Sequence, residues 1–301
     1  MTVLKQSNLH TSQKKGVYEH PYYKSIIRRS LNYLSAGYPV HYTGPSGVGK
    51  TTLAIHVAKL IKRPVTLITG NKDLTNEDLI GAYRGYSRKK LNDNFIKTVR
   101  KIEENVTEDW VEGHLYEAVK NGHTVVYDEF TRSSPDTNNL FLSVLEERVL
   151  PLYGSKTKDS HLRVHPDFRM VFTSNPAEYI GVYDTQDALM DRMISIPLNF
   201  ISMDAEIAVV MERTGVDRDK AEAVVRFIRN VNQSESGKGP DLSVRSSIMI
   251  ADIAEKTGVP IEGKNESFQN LCMDITYFSL LSSTNDEKEA RNRIIEQCKK
   301  I

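Results

Sequence analysis

Residues 44–51 read GPSGVGKT. Glycines at 44, 47 and 49 crowd around one lysine, Lys50, and Thr51 follows it. The stretch fits G-x-x-x-x-G-K-[ST], with Pro45, Ser46, Gly47 and Val48 filling the gap between Gly44 and Gly49. Glycine lets a backbone curl around an anion with successive N–H groups pointing inward. A helix that opens at the lysine adds the positive end of its dipole. In this pattern Lys50 reaches the β- and γ-phosphates of ATP and the Thr51 hydroxyl ligates Mg²⁺, while Gly44 to Thr52 cradle the phosphates. The apolar run PVHYT (39–43) reads as a strand and Thr52–Ile61 as a helix, which is the context the motif requires. A chance glycine-rich turn would need neither.

The strand–loop–helix unit recurs. The apolar runs PVHYT, PVTLIT, HTVVYDE, FRMVFTS and MISIPL alternate with helical stretches at Thr52–Ile61, Thr75–Ala82, Trp110–Lys120 and Asp136–Glu147. Such alternation predicts an α/β fold with a mostly parallel sheet between helices, its chemistry at the carboxyl ends of the strands. A first helix is predicted at Tyr22–Ala36, stopped by Gly37. After about Phe200 the pattern is helical, apart from the loop SESGKGPDL. The expected division is a polar arm (1–20), an α/β nucleotide-binding domain (21–200) and a small helical domain (201–301).

The bulk properties exclude little and point nowhere else. The chain has 301 residues, 39% hydrophobic and 26% charged, with a formal net charge of +1. No whole-chain field draws it to nucleic acid or anionic lipid, so neither partner is expected. No secretory leader is legible in MTVLKQSNLHTSQKKG, and no run is long enough to span a bilayer, so a cytoplasmic protein is expected. Cys272 and Cys298 have no metal-ligand spacing and read as reduced thiols.

Hydrolysis needs more than a phosphate loop; it needs a metal-positioning acid and a group that orients water. HTVVYDEF supplies both at a strand end, with Asp128 for Mg²⁺ and Glu129 to polarise the attacking water. FRMVFTSNP ends in Asn175, which either positions water beside the γ-phosphate or caps a turn before Pro176. Arg192, in DALMDRMISI, and Arg245, in LSVRSSIMIADIA, could stabilise charge on a transferring phosphoryl group or simply lie at the surface. Order along the chain does not choose between these readings.

Taken together, these residues resemble the AAA+ ATPases. GPSGVGKT corresponds to Walker A, VVYDEF to Walker B, TSN to sensor 1, LMDRM to an arginine-finger segment and SVRSS to sensor 2. The block from GHLYEAVKNGHTVVYDEF to SVLEERVL is similar to the MoxR group and its CbbQ/NirQ/NorQ branch. AGYPVHYTGPSGVGKTTLA, VYDEFTRSSPDTNN and VHPDFRMVFTSNPAEYIGVYDTQDALMDRM are similar to the GvpN family of gas-vesicle proteins. The resemblance implies a P-loop fold with a five-stranded parallel sheet and a helical lid. It implies roles for Asn175 as sensor 1, Arg192 as a finger acting on a neighbouring subunit, and Arg245 as sensor 2, with Arg132 a second candidate between subunits. It also implies a homo-oligomer, typically a ring in this superfamily, acting on gas-vesicle shell or accessory proteins during assembly. The alternatives are an activator of a metalloenzyme such as rubisco or nitric oxide reductase, and a nucleotide-gated scaffold or minor shell component.

Two further segments stand out. YRGYSRKKLNDNFIKTVRKIEE (83–104) interleaves Arg84, Arg88, Lys89, Lys90, Lys97, Arg100 and Lys101 with Tyr83, Tyr86 and Phe95. It reads as a solvated basic face, as a contact for single-stranded nucleic acid, which the near-neutral whole-chain charge disfavours, or as a client-gripping insert that the resemblance places in the second helix of the fold. PLYGSKTKDSHLRVHPDF (151–168) reads as a hairpin whose His161 and His165 are not expected to bind metal. Trp110 and its neighbouring tyrosines read as core.

Overall fold

A computed structural model describes residues 17–92, 102–152, 160–175, 187–198, 202–233, 242–284 and 286–301, with backbone alone at 84–92 and 102–109. In chain order the elements begin with a 3-10 turn at Val17–Glu19, α1 (Pro21–Ser35), β1 (Val40–Thr43), α2 (Lys50–Leu60) and β2 (Val65–Thr69). They continue with α3 (Asn76–Ile80), β3 (Gly81–Asn92), β4 (Ile102–Glu112), α4 (His114–Asn121), β5 (Thr124–Asp128) and α5 (Pro135–Leu145). Next come β6 (Val149–Pro151), β7 (His161–Arg163), β8 (Arg169–Ser174), α6 (Asp187–Met190) and β9 (Ile194–Pro197). The remainder is α7 (Met203–Thr214), α8 (Arg218–Asn232), α9 (Val244–Thr257), α10 (Glu266–Thr284) and α11 (Glu287–Cys298).

The chain forms two compact units. Ser30–Thr43 and Thr51–Ile196 make up the first; Gly44–Lys50, Pro197–Ile301 and residues 17–29 make up the second. In the first unit a five-stranded parallel sheet runs in the order β2-β5-β8-β1-β9. Val125 of β5 lies opposite Met170 of β8, and Val40 of β1 opposite Val171. The inner strands are near-continuous apolar runs, TVVYD and RMVFTS, because a parallel sheet is covered on both faces. Tyr127, Phe130, Phe141 and Phe172 pack ring against ring beneath α5, with Tyr127 and Phe141 centroids 4.8 Å apart. Helix α5 starts where Ser134 accepts from the Thr137 N–H (3.2 Å) and Pro135 supplies a first helical φ.

Two helix boundaries differ from expectation. The stretch from Trp110 does not begin a helix: Trp110, Val111 and Glu112 pair antiparallel with Tyr83, Ala82 and Gly81, and the helix opens at His114. Gly113 makes the switch possible, since a Cβ there would lie 2.4 Å from the Leu79 carbonyl oxygen. Likewise α3 is one short, capping-box turn ended by Gly81. Residues 83–92 and 102–104 of the basic segment therefore belong to a two-stranded ribbon, β3–β4, inserted between α3 and α4; residues 93–101 and the side chains of 84–92 and 102–104 lie outside the described residues. Trp110 packs against the core and meets Tyr83 at 5.0 Å and Tyr116 at 6.5 Å. The 151–168 segment does pair as a hairpin, β6 with β7. Residues 1–16 of the arm and most of the SESGKGPDL loop lie outside the described residues.

The second unit is built from α7 to α11. Val210, Val224, Phe227, Ile228, Ile250, Phe268 and Leu280 form its buried centre. Cys272 and Cys298, 0% exposed, are free thiols hydrogen-bonded to each other within it. That bond, with burial, pushes the Cys272 thiol well above its usual range. One carboxylate, Glu206, is buried at the start of α7, and it is satisfied: Arg229 donates to it at 2.8 Å and Ser247 at 3.0 Å. A buried charge survives only with such partners. Glu206→Ala removes the carboxylate to which Arg229 donates and leaves the buried Ser247 hydroxyl without that acceptor. It is expected to destabilise this unit by about 3 kcal/mol, read as a lower urea midpoint; a shift within error would show that the pair contributes nothing.

Candidate functional site

Strand β1 ends at Thr43 and α2 begins at Lys50, so Gly44–Gly49 is a loop between a buried strand and a helix N-terminus. This loop lies in the second unit, and its close neighbours there explain its glycines. A Cβ on Gly44 would sit 2.3 Å from the Leu198 carbonyl oxygen. Gly47 has φ +80°, and a Cβ there would sit 2.2 Å from Ser243 Oγ. Ser243 is the N-cap of α9, and Arg245 lies in that helix's first turn, exposed, its N–H donating to Ser243 Oγ at 3.3 Å. The N-terminus of α9 is thereby brought against the phosphate loop, although Arg245 is about 200 residues away in sequence. Lys50 is buried, and its ammonium donates to the carbonyls of Gly44 (2.8 Å) and Pro45 (2.7 Å).

The other candidate residues belong to the first unit. Asp128, the last residue of β5, accepts through one oxygen, Oδ1, from Thr51 Oγ1 at 2.7 Å and Thr173 Oγ1 at 2.5 Å. Thr173 Oγ1 also accepts from the Glu129 N–H at 2.9 Å. The tips of β5 and β8 and the first turn of α2 are thus drawn to one carboxylate. Its oxygens and the Thr51 hydroxyl are hard donors that fit Mg²⁺, an ion held by one or two carboxylates together with phosphate and water oxygens.

Glu129 stands in the left-handed region, φ 51° and ψ 42°. That conformation costs a non-glycine residue about 1–3 kcal/mol and clusters at functional positions. The backbone of β2's exit holds it there: Gly70 N–H donates to the Asp128 carbonyl at 2.8 Å, and a Cβ on Gly70 would lie 2.2 Å from the Glu129 carbonyl oxygen. Asn175 is buried at the tip of β8, the strand next to β5.

Two arginines are engaged within the chain. Arg132 pairs with Glu129 at 2.9 Å. Arg192 follows α6, donates to Glu146 through Nε at 2.9 Å and through Nη2, and also donates to the Ala188 carbonyl. Both pairs are partly exposed, and such pairs are worth about 0–1 kcal/mol, so neither arginine is locked in place.

The sequence reading passed over Thr173 and Ser243. Thr173 is the first letter of TSN, a hydroxyl directly after the apolar run MVF of β8; Ser243 carries only the generic signal of a helix cap. No helix among the described residues is long and apolar enough to cross a membrane.

Comparison with known proteins identifies the family. A family model described as an AAA domain of the dynein-related subfamily matches residues 39–193. A gas vesicle ATPase GvpN of Ancylobacter aquaticus is 40% identical, covering 93% of this chain and 78% of its own length. Gas vesicle ATPase GvpN2 of Halobacterium salinarum is 35% identical over 90% and 77% of the two chains. Protein CbbQ of Hydrogenophilus thermoluteolus is 23% identical over 81% and 86%. A glycine-rich loop after β1, an acid pair at the end of β5 and relatives aligned across nearly the whole chain lead to one assignment: this chain belongs to the AAA+ family and, within its MoxR group, to the GvpN gas vesicle ATPases.

Proposed function

We propose that the chain hydrolyses Mg·ATP to remodel gas-vesicle shell or accessory proteins during vesicle assembly, and that it does so as a homo-oligomer. The observation that supports the reading most strongly is the carboxylate of Asp128, shared by the Thr51 and Thr173 hydroxyls beside a strained Glu129.

In this mechanism the backbone N–H groups of Gly44–Thr52 and the Lys50 ammonium hold the phosphate tail. Thr51 and Asp128 would hold a magnesium ion, whose chemistry there would be to neutralise charge developing on the phosphate oxygens. Glu129 would accept a proton from water as the water oxygen attacks the γ-phosphorus, and the bond from that phosphorus to the β–γ bridging oxygen would break, with ADP leaving on that oxygen. Asn175 hydrogen bonds that water or the γ-phosphate. Arg245 answers to the nucleotide from the start of α9. Arg192 leaves Glu146 when a second subunit's nucleotide offers a stronger anion, which makes turnover depend on assembly. The helical unit, residues 201–301, serves as the lid and residues 21–200 as the nucleotide-binding domain.

Identity favours the vesicle reading over a metalloenzyme activator. The two GvpN relatives stand at 40% and 35%, whereas CbbQ stands at 23%. ATP turnover measured against protein concentration, with and without purified shell protein, tests it: turnover should rise with both, and a rate indifferent to shell protein would remove shell protein as client.

Two variants test the site. Glu129→Gln should keep ATP affinity in calorimetry and lose at least about 100-fold in phosphate release, the range for a missing general base; release at the parent rate would end the assignment. Arg192→Ala and Lys50→Ala should each be nearly inactive alone. Mixed, they should recover turnover, because the Lys50→Ala subunit still lends Arg192 to an intact loop. No recovery in co-assembled mixtures would rule out action between subunits.

A further inference from the structure

His41 lies on β1, three positions before the phosphate loop, and is 0% exposed. A central strand of a parallel sheet normally carries an aliphatic side chain there. An imidazole in that place costs free energy unless its nitrogens find partners. Both do: Nε2 lies 2.8 Å from Ser174 Oγ on β8, and Nδ1 lies 2.9 Å from Ser195 Oγ on β9. Since β1 sits between β8 and β9, the ring bridges three neighbouring strands sideways. Its edge also meets the Phe130 ring, 5.5 Å away at 86°.

Each contact is adjacent to a residue assigned above. Ser174 directly precedes Asn175, Phe130 directly follows Glu129, and Ser195 stands three positions after Arg192. Phe130 is in turn 5.4 Å from Phe172, the β8 residue in register with His41. We infer that His41 is a positioning residue for ATP hydrolysis, holding the Asn175 strand tip, the Glu129 turn and the strand after Arg192 in one fixed arrangement. The inference rests on the site reading proposed above. Burial lowers the imidazole pKa to about 4, so the ring is neutral near pH 7. A neutral ring donates from one nitrogen and accepts at the other, which gives the three-strand string a direction.

Three replacements separate positioning from mere packing. Glutamine can place an amide where Nε2 was and keep the Ser174 bond; asparagine can reach only the Nδ1 position; leucine keeps volume and neither bond. His41→Leu should keep KM for ATP within about 2-fold and lose about 10-fold or more in kcat, because misplacement of about 1 Å near reacting groups costs up to 100-fold. His41→Gln should regain most of that loss and His41→Asn should not. Ser174→Ala should reproduce the leucine variant, with no further loss in the double variant. The inference is overturned if His41→Leu turns over at the parent rate, or if the glutamine variant is no better than the asparagine one. Should His41→Leu fail to fold, Ser174→Ala and His41→Gln still decide the matter, since the first must lower kcat and the second preserve it. Glu129→Gln run alongside keeps the two readings apart. A dead Glu129→Gln with a full-speed His41→Leu rejects only the role of His41; a fully active Glu129→Gln rejects the site itself.

Discussion

The first unit is organised around a single acceptor, the Oδ1 of Asp128. Hydroxyls from the start of α2 and from β8 both donate to it. Two further bonds, Thr173 with the Glu129 N–H and Gly70 with the Asp128 carbonyl, hold the chain on either side. Remove that oxygen and three chain segments lose their common reference. The sheet beneath explains why the point is stable: Tyr127 and Phe172, one or two residues short of the site, are fully buried among aromatic rings. A rigid hydrocarbon floor carries a small polar cluster, and local strain at Glu129 persists because its surroundings over-determine it.

Much of this was legible because the relevant signals are local. A glycine-rich loop, buried strands written as continuous apolar runs, and helix caps such as Ser134 all declare themselves within a few residues. The sheet strands and the order of the site residues could therefore be read directly. The β3–β4 ribbon could not. Its strands are rich in charge and lack clean two-residue alternation, and their ends, Gly81 and Glu112, pair across a span that no short window contains. Trp110 looked helical because the residues after it are; the break depends on Gly113 threading past the Leu79 carbonyl, a packing fact. The same holds for Thr173, Ser243 and His41. Each is an ordinary residue until the fold gives it a partner far along the chain.

Under the proposed mechanism, the two arginines on the first unit would be cations kept in reserve. Arg132 and Arg192 each rest against a carboxylate of their own chain, in geometry too exposed to hold them strongly. An isolated subunit therefore carries no bare guanidinium at these positions, and the exchange of one anion for another is nearly balanced. Association could shift such an equilibrium with little free energy, whereas the buried Glu206 carboxylate, held by Arg229 and Ser247, could not give up its partners this way.

The paired sulfurs of the second unit have a practical consequence. Cys272 and Cys298 have no path to solvent while α10 and α11 stay packed. A membrane-permeant or small alkylating reagent can reach them only through momentary separation of those helices, so its incorporation rate is a clock for that opening. The protein thus carries an intrinsic chemical gauge of its own breathing, one that needs no engineered label and can be followed by mass alone.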